Sequence, residues 1–321
     1  MINKPSIIIS SLGRTGTTFF QNFFTNNFPN ISAFHEPASI RYNSLKFFEE
    51  IKFNIINFGF YNSFIKKTLG KWGLLNLSKK RILNKINNEK AILQILNERK
   101  KFIEKQNAKY PEGKNVYLES NYHYYGLLDI LPFVFKNLRI IFIIRDPRNW
   151  IRSNINFKLF YHFSDTNMYL GNRLNAKMFQ NDPYQKKWKS FSQFEKLAWA
   201  WNKQNSFAIE SLEKIQNVPK IENKNIYKIF KFEDLFSDKN DEEFKNLINF
   251  INELNPEKKE SYKKYKNSIH KKIHQPKNYK FPKWQKWTSK EAQIVEKHCG
   301  DLMRKFGYGK EPEWLKLINR Q

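Results

Sequence analysis

Residues 6–24 read SIIISSLGRTGTTFFQNFF, and this stretch decides the fold. Ser6 to Ser11 is short, apolar and β-branched, the composition of a buried strand. Leu12 to Thr18 is a polar loop with Gly13 and Gly16. Phe19, Phe20, Phe23 and Phe24 then recur at i, i+1, i+4 and i+5, which places them on one face of a helix. A strand, a glycine loop and a helix in that order present backbone N–H groups and the positive end of a helix dipole to an anion.

Similar units recur downstream. Val116-Tyr117-Leu118 reads as a strand, followed by a helical stretch over 126–135. Arg139-Ile140-Ile141-Phe142-Ile143-Ile144 is a continuous apolar run, as expected of a parallel strand covered on both faces. Pro147 follows where a helix would start. A further strand is expected over 226–232 and a helix over 242–254. Thr288 and Glu291 have capping-box spacing, which predicts a closing helix to about Phe306 with Gly307 as its stop. Strands separated by helical connections predict a P-loop-like three-layer α/β/α fold with a mostly parallel central sheet. One domain is expected over residues 1–321, with helical insertions at about 42–110 and 157–198.

Composition narrows the class of function. The 321 residues carry 57 Lys and Arg against 30 Asp and Glu, a formal charge of +27. Clustered charge of that sign attracts nucleic acid, but here the lysines are spread along the chain together with much Asn, Ile and Phe, as AT-rich coding produces. The aromatics, 17% of the chain, fall mainly at core positions of helices and strands. The single cysteine, Cys299, excludes an internal disulfide and multi-cysteine metal sites. His162, His270, His274 and His298 have no partner at metal-ligand spacing and read as surface or loop residues. No apolar run reaches the roughly 18 residues of a membrane span, so a soluble, cytoplasmic protein is expected, and nothing in the sequence specifies an oligomeric state.

Against the nucleotide-triphosphate pattern G-x-x-x-x-G-K-[ST], Gly16 and Thr18 fit, but Ser11 replaces the first glycine and Thr17 the lysine. The loop instead resembles the 5'-phosphosulfate loop, P-[RK]-[ST]-G-T-[TS], of sulfotransferases that use 3'-phosphoadenosine 5'-phosphosulfate. Residues 139–153, RIIFIIRDPRNWIRS, resemble that family's 3'-phosphate motif, an arginine at a strand end and a serine eight residues later. Val116 to Asn121, VYLESN, lies the same distance before Arg145 as the W-G-E-K-[TS] segment of many bacterial members. Residues 229–235, IFKFEDL, resemble the Y-E-D-L strand end. Lys283-Trp284-Gln285-Lys286, with the capped helix and Phe306-Gly307-Tyr308, looks like the G-x-W-[RK] loop and L-G-Y ending.

The resemblance implies a donor site made by Arg14, Thr15, Gly16, Thr17 and Thr18 around the 5'-phosphosulfate and by Arg145 and Ser153 around the 3'-phosphate. Phe232 would lie near adenine, Trp284 belongs to the C-terminal loop, and Lys277 or Lys283 would supply a further cation. Arg148 and Arg152 stay open between solvated and phosphate-facing charges. Arg14 would also support the charge of the leaving phosphate. Sulfuryl transfer needs a base, for which Glu36 in Phe34-His35-Glu36-Pro37, His123 and Glu119 are the candidates. Many carbohydrate and bacterial members carry a glutamate at the place of Glu36. His35 would point elsewhere if that segment is extended. The chain departs from the cytosolic animal and plant enzymes, whose K-T-H histidine corresponds here to Ser120-Asn121-Tyr122, with His123 one residue late.

The expected acceptor is a small molecule or carbohydrate, with no nucleic acid as partner and no metal required. Tyr161, His162, Trp188, Trp199 and Trp201 are possible lining residues. The competing readings are a P-loop kinase or nucleotide hydrolase, with Asp146 as its metal carboxylate, and a basic nucleic-acid-binding protein.

Overall fold

The computed structural model describes residues 1–37, 47–61, 73–109, 115–165, 173–219, 221, 225–237, 241–254 and 280–320. Five strands form one parallel sheet: β1 Ser6–Ser11, β2 Ile31–His35, β3 Val116–Ser120, β4 Leu138–Ile144 and β5 Tyr227–Lys231. Their order across the sheet is β2-β3-β1-β4-β5. The connecting helices are α1 Thr17–Asn27, α2 Phe47–Phe58, α3 Leu74–Ile82, α4 Asn88–Lys109, α5 Pro147–Asn156, α6 Gln193–Gln216, the single turn α7 Phe232–Leu235 and α8 Glu242–Asn252. The chain closes with α9 Ser289–Lys305 and α10 Pro312–Ile318.

Period-2 alternation along the strands separates the two faces of the sheet. Ile8, Tyr117, Ile140, Phe142 and Ile144 enter a large core shared with α3, α4, α5, α6 and α9. Ile7, Ile9, Val116, Leu118, Ile141 and Ile143 enter a smaller core with the phenylalanines of α1 and the apolar face of α8. Both faces are covered, which explains why β4 is buried at all seven positions and reads as an unbroken apolar run.

The closing helix has the expected Thr288–Glu291 capping box, and Gly307 follows it with φ +78°. Two expectations change. The stretch over 126–135 forms 3-10 turns, Tyr122–Gly126 and Leu128–Phe133, with Pro132 inside the second, where an α-helix would lose a backbone bond. Within 157–198 the described residues form only the single 3-10 turns Ala176–Met178 and Trp188–Ser190 before α6 begins at Gln193. The first insertion is helical, carrying α2, α3 and α4. Among the described residues no helix is long and apolar enough to cross a membrane.

The register fixes where chemistry can occur. Ser11 pairs with Ile143, Ile9 and His35 both pair with Ser120, and Ile144 pairs with Lys231. The C-terminal ends of all five strands therefore share one edge, where open α/β sheets bind ligands. Gly13, Glu36, Asn121, Arg145 and Phe232 leave the sheet there.

Candidate functional site

The loop after β1 turns through three left-handed residues, Gly13 (φ +78°), Arg14 (φ +55°) and Gly16 (φ +79°). Ser11 organises it: its hydroxyl accepts the Gly13 N–H at 3.1 Å and the hydroxyl hydrogen of Thr15. Thr15 is buried, so its side chain serves the loop. Gly16 is the N-cap of α1 and supplies no side-chain cap, and the first turn has no acidic residue. The first amides of an α-helix have no acceptor within the helix, and successive amides in such a turn form an anion-binding concavity. A Cβ on Gly16 would lie 3.2 Å from the Phe236 ring and 3.7 Å from that of Phe232, so glycine also lets these rings approach the loop.

Arg14 adopts a conformation that costs a non-glycine residue energy. The fold holds it there from both ends. Arg145 Nη1 donates to the Arg14 carbonyl, while Arg14 Nε donates to Ser153 Oγ at 3.2 Å. The Arg14 guanidinium lies 3.8 Å from the centroid of the Phe157 ring. Trp150 Nε1 donates to the Gly13 carbonyl at 3.0 Å, and Trp201 Nε1 to the Arg145 carbonyl at 3.0 Å. Of the seven residues expected to face the two ends of the donor, Arg14, Arg145 and Ser153 are thus joined by hydrogen bonds, and Thr15 to Thr18 follow Arg14 in the chain. Arg145 also lies 4.4 Å over the Phe232 ring and 4.0 Å from Glu233. Burial and the Asp146 carboxylate raise the Glu233 carboxyl above its ordinary range, while Tyr308 donates to it at 2.8 Å. Trp150 and Glu233 are the supporting residues that motif reading left unassigned, although both lie inside the quoted segments.

At the edge strand, His35 corrects an expectation. Its Nε2 lies 3.2 Å from Thr18 Oγ1 and 3.6 Å from Glu36 Oε1, and its Nδ1 lies 3.2 Å from the Ser120 carbonyl. Strand alternation ends at His35, because Glu36 takes φ +45° and turns its side chain back towards its neighbour. The same Ser120 carbonyl accepts the Glu36 N–H at 3.1 Å. A carbonyl only accepts, so Nδ1 carries the hydrogen, and the Nε2 of a neutral ring accepts from Thr18. Glu36, His35 and Thr18 form a polar chain that ends on the first turn of α1.

The other candidates for the base separate clearly. Glu119 is fully buried and takes both Arg99 Nε and Nη2 at 2.7 Å, Tyr117 at 2.6 Å, Tyr124 at 2.9 Å and Asn121 at 2.8 Å. With its lone pairs used, it is a structural carboxylate holding β3, α4 and the turn after β3. His123 is buried, its ring 4.0 Å from that of Tyr122. The Tyr122 ring in turn lies 3.5 Å from where a Gly13 Cβ would be.

Arg148 is neither solvated nor phosphate-facing. It is buried between Trp284 (4.5 Å) and Trp314 (4.9 Å) and paired with Asp146 and Glu311 at 2.7 Å. Asp146 caps α5 and receives Arg148 through both oxygens, so the carboxylate on which a metal-nucleotide reading relied is already committed. Trp284 packs on Arg148 and Trp314 instead of lying open. Its segment docks on α5 where Asn156 and Phe281 exchange hydrogen bonds and Arg152 donates to the Phe281 carbonyl. Lys283 is exposed on that segment, and Lys277, like His270 and His274, lies outside the described residues. His298, expected at the surface, is buried and pairs with Glu195 at 3.3 Å. Trp188, Trp199 and Trp201 are core residues, each buried to 4% exposure or less.

The model described as "Sulfotransferase family" matches residues 5–253, which include the loop, Glu36, Arg145, Ser153 and Phe232. A solved structure to which the chain is similar is described as "Sulfotransferase Domain from the Curacin Biosynthetic Pathway", at 13% identity and a TM-score of 0.40, with 99% of this chain and 96% of that chain covered. No curated protein matches the sequence.

Proposed function

The chain belongs to the sulfotransferase family, and from that premise we propose that it moves the sulfuryl group of 3'-phosphoadenosine 5'-phosphosulfate to a hydroxyl or amine of a small-molecule or carbohydrate acceptor, with residues 1–321 acting as one domain. The observation that carries this reading is the joining of Arg14 to Ser153 and Arg145, which couples the loop suited to the 5' end of the donor to the pair suited to its 3'-phosphate.

In this reading the amides of Gly16 to Thr18 and the α1 dipole hold the 5'-phosphate. Arg145 and the Ser153 hydroxyl, which still has a hydrogen to donate while it accepts from Arg14, hold the 3'-phosphate. Phe232 offers adenine a ring face beside Gly16. Glu36 takes the proton of the acceptor hydroxyl as its oxygen bonds to sulfur. The bond from sulfur to the bridging phosphate oxygen breaks, and Arg14 stabilises the charge that gathers on that oxygen. His35 stands between Glu36 and Thr18, so that the carboxylate lies beside the donor loop.

Calorimetry with 3',5'-adenosine bisphosphate in the absence of Mg²⁺ tests the donor assignment. Binding that collapses in Arg145→Ala and survives in Glu36→Gln is the expected result. Binding of Mg-ATP in place of the bisphosphate would overturn it.

A further inference from the structure

Next to the donor loop lies an open recess of about 470 Å³, solvent at its mouth included. Its walls include Tyr122, Tyr125, Phe160 and Tyr161, together with the cations Lys79 and Arg173. Tyr122 connects the recess to the chemistry, since its ring packs against Gly13 on one side and stands 6.2 Å from Phe160 on the other. The next residue after Gly13, Arg14, lays its guanidinium over Phe157. A group held in the recess would therefore lie beside the donor loop, with the Tyr122 ring between it and Gly13.

The two cations distinguish this recess from an ordinary aromatic pocket. Arg173 stacks on Phe160, its guanidinium 4.1 Å from the ring centroid. Its Nε is buried and donates to nothing among the described residues, and no carboxylate there lies within ion-pair distance of it. A buried guanidinium N–H without an acceptor is costly. Asp165, whose backbone carbonyl accepts the Arg173 N–H, has its carboxylate taken by Lys196 at 3.0 Å and Trp188 at 2.6 Å. Lys79 is half-buried in the same wall, and burial together with Lys80 and Lys85 lowers the affinity of its amine for a proton. An anion in the recess would give the Arg173 Nε an acceptor and favour the charged form of Lys79.

Resting on the sulfotransferase reading, we infer that the acceptor is itself an acid: a ring-bearing hydroxyl compound whose carboxylate or phosphate is held by Arg173 and Lys79 while its ring lies against Tyr122, Tyr125 and Phe160. Aromatic faces suit the apolar face of a sugar or a phenyl ring, and the planar guanidinium suits a carboxylate or phosphate. The acid is a recognition handle, and the sulfuryl group goes to a separate hydroxyl.

The test titrates matched pairs against the full chain, with and without 3',5'-adenosine bisphosphate: 4-nitrophenyl glucuronide against the glucoside, 4-hydroxybenzoate against its amide, and glucose 6-phosphate against glucose. At least one acid should bind about tenfold or more tightly than its neutral partner. Arg173→Gln should remove that preference and Arg173→Lys should keep it. The carboxylate and phosphate arms identify which anion is read. A preference absent from every pair, or one that Arg173→Gln leaves intact, would overturn the inference. Failure of the bisphosphate to bind while the acid preference persists would instead overturn the donor assignment and leave the anion pocket standing.

Discussion

The imidazole Nε2 of His35 lies 3.6 Å from the carboxylate of Glu36, the residue that follows it in the chain. Consecutive residues of a strand point to opposite faces. Here the strand ends, and the positive φ of Glu36 brings the two side chains together above the first turn of α1. Strain of this kind persists only where the surroundings impose it, and the Ser120 carbonyl does so by binding both His35 Nδ1 and the Glu36 amide.

With Glu36 as the base and His35 beside it, the two substitutions separate by size. Glu36→Gln should lower kcat by roughly 10²–10⁴ and leave bisphosphate affinity unchanged. His35→Asn keeps a donor for the Ser120 carbonyl but loses Nε2. It should lower kcat by a smaller factor. Steady-state rates at saturating donor provide the check, and turnover equal to that of the unsubstituted protein would remove His35 from the assembly.

The sheet was legible because β1 and β4 are buried on both faces and show it as unbroken apolar runs. β2 was not, since it is an edge strand with only Ile31 and Ser32 buried among its five residues. The direction of His35 was hidden because nothing in the sequence marks the left-handed turn at Glu36 that ends the alternation. Arg145 and Ser153 were singled out by the resemblance to a family motif, an arginine at a strand end and a serine eight residues later, and the structure places them at the end of β4 and within α5. The burial of Arg148 was not legible, because its partners Trp284, Glu311 and Trp314 lie more than a hundred residues away in the chain. Glu119, a candidate base or a group to orient the acceptor or Arg14, showed no partner in the sequence because Arg99 comes from a helix inside an insertion that no motif covers.

Gly16→Ala should destabilise the fold by roughly 1–2 kcal/mol from the left-handed backbone alone. It should cost more than Gly307→Ala, where φ is also +78° but no atom lies within 4 Å of the added methyl. Urea unfolding of both variants measures the difference, which reports the contact with Phe236. Equal losses would mean that the ring moves away freely.

Glu119→Leu removes the carboxylate that Arg99 binds through two nitrogens and leaves it Glu98, at a cost of up to about 3–5 kcal/mol. The double variant Arg99→Met/Glu119→Leu should recover part of that loss, since two apolar chains avoid the desolvation of two charges, although Glu98 loses the guanidinium and the hydroxyls of Tyr117 and Tyr124 lose an acceptor. Thermal unfolding of the two single variants and the double closes the cycle. Turnover retained by the double variant would confirm that Glu119 holds the site and takes no proton.

His298 predicts a pH dependence of stability. It is buried against Tyr184, and burial holds its pKa below the ordinary 6.5, outweighing the pull of Glu195. Above pH 6.5 the ring is neutral in both the folded and unfolded chain and contributes nothing to the slope. Below 6.5 the unfolded chain takes up the proton first, so it binds more protons than the folded chain and stability falls as pH falls. The loss stops growing once the pH is below the depressed folded value. Urea midpoints at pH 7.5, 6.5 and 5.5 should therefore decline more steeply in the unsubstituted protein than in His298→Gln. The remaining histidines titrate in both proteins, so the difference between the two curves isolates His298. Parallel curves would show that the buried ring accepts its proton in the folded state, with Glu195 as the counter-ion that makes this possible.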